Sequence, residues 1–139
     1  MELTGKRLLV LEDEYLIALE LERIAEECGA KSVHVVSTVA ELLFWIESQP
    51  PCDIAILEVK ARGTSSLDAA SLMLQRGVPV VFATAYDQQR SGIAGFADVP
   101  VVLKPYGKTQ ILQAVTTAFA RMAPRTLPAK EGGASGELV

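Results

Sequence analysis

The chain has little cysteine and almost no histidine: two cysteines and one histidine in 139 residues. Cys28 and Cys52 stand far apart, without the paired spacing of a zinc site or a redox dithiol. This usage fits a reducing compartment. Cys28 has no neighbouring histidine to activate it. His34 falls in a short apolar stretch, where a packed or strand-edge role outweighs ligation. The charge balance is 13 basic against 17 acidic residues, a net charge of -4, and no Lys/Arg cluster stands out. Nucleic acid and anionic membrane are therefore not the expected partners. Apolar runs such as Val78 to Ala85 are too short to span a bilayer. The first residues lack the features of a signal peptide, so the expected location is the cytoplasm. Neither G-x-G-x-x-G nor G-x-x-x-x-G-K-[ST] occurs, which argues against nucleotide binding of those kinds.

What is present is half hydrophobic and 22% charged, enough for one buried core and too little for two ordinary domains. Arg7 to Leu11 is a short apolar run met at once by Glu12, Asp13 and Glu14, as in a strand buried on both faces. From Tyr15 to Cys28 the period becomes helical, with Leu16, Leu19, Ile24 and Ala25 as the expected buried stripe and Gly29 as the stop. Val33 to Val36 is a second strand. Ser37 or Thr38 caps a helix carried by Leu42, Leu43, Trp45 and Ile46, with Phe44 and Trp45 as packing residues, and Pro50-Pro51 closes it.

Ile54 to Leu57 is a third strand with Glu58 at its end, and 60–66 is a polar loop. Leu67 to Gln75 is a helix stopped by Gly77, and Val78 to Ala83 is a fourth strand running into Thr84. A weak helix with glycines at 92 and 95 is expected between Gln88 and Phe96. Val101 to Leu103 is a fifth strand ending at Lys104-Pro105, and Thr109 to Met122 is the last helix. Five strand–helix units in alternation predict an α/β fold with a doubly wound parallel sheet. Residues 1–123 form the expected domain, and 124–139, rich in Pro, Gly, Ser and Ala, read as a flexible tail.

Ligands of such sheets bind beyond the carboxyl ends of the strands, where the winding reverses. That rule selects Glu12, Asp13, Glu58, Thr84 and Lys104. Two carboxylates about 4 Å apart repel by roughly 4 kcal/mol at an effective dielectric near 20, so three of them call for a cation. Oxygen ligands suit Mg²⁺, Lys104 adds a fixed positive charge, and the Thr84 hydroxyl suits a phosphoryl oxygen. Singly, each residue has a plainer reading: a helix-dipole acid, a solvated strand end, a loop hydroxyl, a helix entry. All of them at the ends of the right strands read as one site for Mg²⁺ and phosphate chemistry.

The runs LLVLEDE, Asp53-Ile-Ala-Ile-Leu-Glu58, VVFATAY and VVLKPY resemble the receiver domains of bacterial two-component response regulators. The resemblance covers residues 6–122, and FATAY is similar to the Phe-Ala-Thr-Gly-Tyr signature of one receiver subgroup, with Ala85 in place of Gly. It implies a flavodoxin-like fold with strand order 2-1-3-4-5. It also implies Mg²⁺ on Glu12, Asp13, the residue at 58 and the Lys60 backbone carbonyl, with Thr84 and Lys104 contacting the phosphoryl group. The implied role is not enzymatic: a module of phosphorelay signalling that acts by protein–protein binding. The implied partners are a histidine kinase, a phosphotransfer protein, another regulator or a second copy, through the face of the fourth helix, fifth strand and fifth helix.

Two positions depart from the pattern. Val101 stands where an aromatic switch residue is common, leaving Tyr86 or Tyr106 as substitutes. Glu58 stands where the family carries the phosphoacceptor Asp. The added methylene carries the carboxylate ~1.5 Å further into the cavity, toward Lys104 and Thr84, and in-line attack tolerates such a shift poorly. The expectation is a stand-alone pseudo-receiver that works without phosphorylation and binds Mg²⁺ weakly. Glu58 either holds an active-like state through Lys104 or only disables the switch, and its single charge mimics a phosphoryl group in part. A conventional receiver phosphorylated on Glu58 is the alternative. A Mg²⁺-dependent phosphohydrolase of the haloacid-dehalogenase type is a distant one, because D-x-D is replaced by Glu12-Asp13-Glu14 and no later acidic pair follows Lys104.

Overall fold

A computed structural model describes residues 3–122, so the segment read as a tail, 124–139, lies outside the described residues. The elements run β1 (Arg7–Leu11), α1 (Tyr15–Glu27), β2 (Ser32–Val36), α2 (Val39–Glu47), β3 (Ile54–Glu58), β4 (Lys60–Ala61) and β5 (Thr64–Ser65). They continue with α3 (Leu67–Gln75), β6 (Val80–Thr84), a 3₁₀ turn (Asp87–Gln89), β7 (Val101–Leu103) and α4 (Lys108–Met122). The main sheet has five parallel strands in the order β2-β1-β3-β6-β7, the doubly wound arrangement. Counting main-sheet strands alone, this is the expected 2-1-3-4-5. Among the described residues no helix is long and apolar enough to cross a membrane.

Because side chains alternate along a strand, the apolar runs feed two cores, one on each face of the sheet. Leu8, Val10, Ile54, Ile56, Val81 and Ala83 pack against α1 and α4 through Leu21, Ile24, Ile111 and Val115. Their neighbours Leu9, Leu11, Ala55, Leu57, Val80 and Phe82 pack against α2 and α3 through Leu42, Ile46, Ala70 and Met73. α2 begins at Thr38, whose hydroxyl accepts from the Glu41 amide while the Glu41 side chain accepts from the Thr38 amide.

Four expectations need correction. In α1 the buried stripe is Ala18, Leu21, Ile24 and Ala25, whereas Leu16 is 76% exposed and Leu19 42%. Both stripes obey helical spacing, and the face that meets the sheet decides between them. Phe44 is 72% exposed and Leu43 is also exposed, so α2 packs through Val39, Leu42 and Ile46. Trp45 is half-buried, stacked on the exposed His34 with ring centroids 5.8 Å apart. The polar loop 60–66 contains a small antiparallel hairpin, with Arg62 (φ 50°) and Gly63 (φ 80°) as its two turn residues.

The helix expected over 88–96 is absent. Only the Asp87–Gln89 turn forms, followed by successive i→i+3 bonds to Gly92, Phe96 and Val99. Gly92 (φ 133°) and Gly95 (φ 86°) adopt backbone angles that an α-helix forbids. Phe96 reaches the core without a helix, edge-on to Phe82 at 5.3 Å.

Candidate functional site

The switch point between β1 and β3 brings Glu12, Asp13, Glu14 and Glu58 together, each offering a carboxylate oxygen within 4.8 Å of the others. Lys104, carried in from the end of β7, is the cation among them. Its Nζ lies 2.7 Å from Glu58 Oε1, 2.7 Å from Glu14 Oε2 and 3.0 Å from Glu12 Oε2, with the lysine side chain 2% exposed. An ammonium has three N–H donors, and each has a carboxylate here. The sequence selected four of these five residues; Glu14 joins them as a direct partner of Lys104. As the N-cap of α1, Glu14 makes no side-chain capping bond, and its carboxylate turns to Lys104 instead.

The electrostatics follow from this crowding. Burial, reinforced by the neighbouring Glu12, pushes the Glu58 carboxyl up to about 8 although Lys104 pulls the other way. Burial alone would lower Lys104, but its bonds to Glu14, Glu58 and Glu12 outweigh it and hold the ammonium above its ordinary value. Glu12 Oε1 is buried without a hydrogen-bond partner, and so is the Tyr106 hydroxyl. Burial raises that phenol as well.

The donor set suits a hard divalent ion. Glu12 Oε1 is an unclaimed buried oxygen, and Glu12 belongs to the cluster of four carboxylates. Two features compete with such an ion. Lys104 already occupies Glu12, Glu14 and Glu58, and Asp13 Oδ2 accepts the Arg62 amide at 2.8 Å, tying the hairpin turn to the site. Lys60, the remaining residue expected at the metal, is exposed and pairs with Ser65 in the hairpin.

Thr84 ends β6 and is 2% exposed, but its hydroxyl does not turn to Glu58. It donates to Gln89 Oε1 and accepts the Tyr86 amide at 3.1 Å. Of the two groups expected to meet at the acceptor position, the structure brings Lys104 to Glu58 and leaves Thr84 with Gln89. Tyr86 is 58% exposed. The sequence reading also missed Ser66, whose buried hydroxyl donates to the Glu58 carbonyl at 2.6 Å, with the Val59 carbonyl also within reach at 3.1 Å, and so fixes the chain after β3. Nothing local marked Ser66 or Gln89; both act across a turn onto atoms of another element. Asp53, at the opposite end of β3, binds Arg7 and lies outside this site.

No protein-family model matches the chain. The solution structure of SdrG from Sphingomonas melonis Fr1 is similar over 86% of this chain and 98% of its own, with 35% identity and a TM-score of 0.73. The transcriptional regulatory protein PdtaR of Mycobacterium tuberculosis is 30% identical over 132 residues, which are 91% of this chain and 62% of PdtaR. The chain thus matches under two thirds of that longer regulator. The response regulator TrrA of Thermotoga maritima, solved with Mg²⁺ and a beryllium fluoride, is 25% identical over 81% of this chain and 98% of its own, with a TM-score of 0.69. With the doubly wound sheet, the acidic cluster and Lys104 in place, the chain belongs to the response-regulator receiver-domain family of two-component signalling.

Proposed function

We propose that this receiver works without an acyl phosphate, as a protein-binding module whose acceptor position is permanently filled by the Glu58–Lys104 ion pair. The observation that carries the reading is the 2.7 Å contact between Glu58 Oε1 and Lys104 Nζ, with the lysine almost wholly buried. A nucleophilic carboxylate must present an oxygen to phosphorus in line with the leaving group. Here that carboxylate carries one more methylene than Asp and is already engaged by Lys104.

Mg²⁺ is the cofactor proposed for the site, held by Glu12, Asp13, Glu58 and the Lys60 carbonyl and weakened by the engagement of Lys104. TrrA's Mg²⁺ complex supports that choice by relationship. The ion would supply positive charge beside the acceptor position. The chain's own residues do the rest: Lys104 neutralises Glu58, and Ser66 fixes the backbone that carries it.

The proposed output is contact with a histidine kinase, a phosphotransfer protein, another regulator or a second copy. The face assigned to it comprises 87–100, β7 and α4. A cleft of about 530 Å³ there is lined by residues including Arg90, Val101, Leu103, Pro105 and Gln113, and β7 is an edge strand. Placement in the cytoplasm, a receiver unit of residues 1–123 and a C-terminal tail of 124–139 belong to the same proposal.

Intact mass after incubation with Mg²⁺ and acetyl phosphate, with acid quenching, tests it. The expected result is no adduct on the native chain and one on Glu58→Asp. An adduct on the native chain that disappears in Glu58→Gln overturns the proposal and makes Glu58 a working acceptor.

A further inference from the structure

Thr84 is fixed by its backbone: it pairs with Leu103 in the sheet, and its carbonyl accepts the Lys104 amide at 2.8 Å. Only its side-chain torsion is free to change, and three staggered positions are open to it in principle. A threonine hydroxyl has one proton to donate. In this chain Gln89 takes that proton, while the Tyr86 amide takes up acceptor capacity on the same oxygen. The hydroxyl therefore has nothing left to donate to Glu58.

A cavity of about 250 Å³ is lined by Glu58, Val59, Lys60, Thr84, Tyr86 and the glutamines at 88 and 89, so Thr84 and Glu58 border the same space. Gln89 is half-buried, and its carbonyl accepts the Gly92 amide at 3.0 Å. It closes a single 3₁₀ turn through its amide to the Tyr86 carbonyl at 3.0 Å, in a segment where Gly92 and Gly95 exclude an α-helix. One hydroxyl–amide bond thus links the last residue of β6 to the segment 85–100, on the face proposed for output.

We propose that Gln89 is a positioning residue that holds the Thr84 hydroxyl away from Glu58, so that release of this bond lets Thr84 turn into the acceptor site and resets the 85–100 segment. This deepens the function proposed above and rests on Glu58 being the permanent occupant of that site. The switch then answers to whatever binds the Gln89 turn, because a partner that engages the glutamine amide competes directly for the threonine proton. A neutral hydroxyl–amide bond is worth about fivefold in an equilibrium, so modest differential binding is enough to move it.

The test uses amide and carboxyl NMR spectra of the full chain without any phosphoryl donor. In Gln89→Ala the Tyr86 amide should exchange about fivefold faster, because its acceptor has rotated away, and the Glu58 side-chain carboxyl resonance should move. Gln89→Glu, which keeps an acceptor at the same reach, should stay native-like. In the double variant Gln89→Ala, Thr84→Val the Glu58 resonance should match that of Thr84→Val alone. A Gln89→Ala spectrum that changes only within the 3₁₀ turn, with Glu58 unmoved, overturns the proposal and leaves Gln89 a merely structural residue. So does a Gln89→Glu that behaves as Gln89→Ala. The mass experiment is read separately, so an adduct on the native chain defeats the acceptor-site reading and a silent Glu58 resonance defeats the latch.

Discussion

Glu58 and Lys104, 46 residues apart in the chain, meet at 2.7 Å at the carboxyl end of the sheet, and Glu12 and Glu14 complete a ring of three carboxylates around one ammonium. Removing one member of a buried charge cluster leaves the others uncompensated, which costs more than the intact pair contributes. Lys104→Met should therefore lower stability by about 3 kcal/mol. Urea denaturation at neutral pH reads the change directly, and an unchanged midpoint would mean that the carboxylates do not depend on the lysine.

Divalent binding should report the same competition. Lys104 holds three of the four clustered carboxylates and Arg62 holds the fourth. Isothermal titration should show weak Mg²⁺ binding to the native chain and tighter binding to Lys104→Met, about tenfold or more if the ammonium is the principal competitor. Equal affinities would show that ion and lysine share the site without conflict.

At the other end of the sheet, Asp53 accepts from the Arg7 amide at 2.8 Å and its side chain at 2.9 Å, and this guanidinium holds the carboxyl below its ordinary value. A depressed carboxyl contributes stability above its unfolded pKa, near 4, and loses it as pH falls toward the folded value. Asp53→Asn should cost about 1 kcal/mol at neutral pH, a small figure because the pair is partly solvated. The gap to the native chain should close in denaturation curves taken progressively below pH ~4. A gap that persists in acid would assign the effect to packing.

The phase of α1 is open to a simple contrast. Leu16 is 76% exposed and Leu21 fully buried, so Leu16→Ser should change stability by no more than about 0.5 kcal/mol. Leu21→Ala should cost about 2–5 kcal/mol in the same thermal or urea unfolding measurement. The reverse order would mean that the helix turns its other leucine stripe to the sheet.

Much of this molecule is legible in one dimension because its signals are local. A strand buried on both faces must be apolar throughout, so Arg7–Leu11, Ile54–Glu58 and Val80–Thr84 stand out from their flanks. The carboxyl-end rule then places Glu12, Asp13, Glu58, Thr84 and Lys104 at one end of the sheet before any contact is seen. The α1 stripe was not legible in this way: Leu16 and Leu19 share the helical spacing of Ala18 and Leu21, and periodicity carries no information about which side the sheet is on. The segment 88–96 failed for a different reason. Its apolar residues suit a helix, but Gly92 and Gly95 take positive φ and Phe96 finds its place against Phe82 from a turn.

Residue type and spacing settle the strands, their alternation with helices, the acidic residues after β1 and the presence of glutamate at position 58, whereas the order of the strands in the sheet is a tertiary property. Tertiary structure decided where the bonds go. It gave Lys104 to three carboxylates at once, gave the Thr84 hydroxyl to Gln89, and gave the Asp13 carboxylate to the Arg62 amide. The reason is physical: hydrogen-bond donors and acceptors are few and short in reach, and which of several eligible partners wins depends on distances set by strands and turns far apart in the chain.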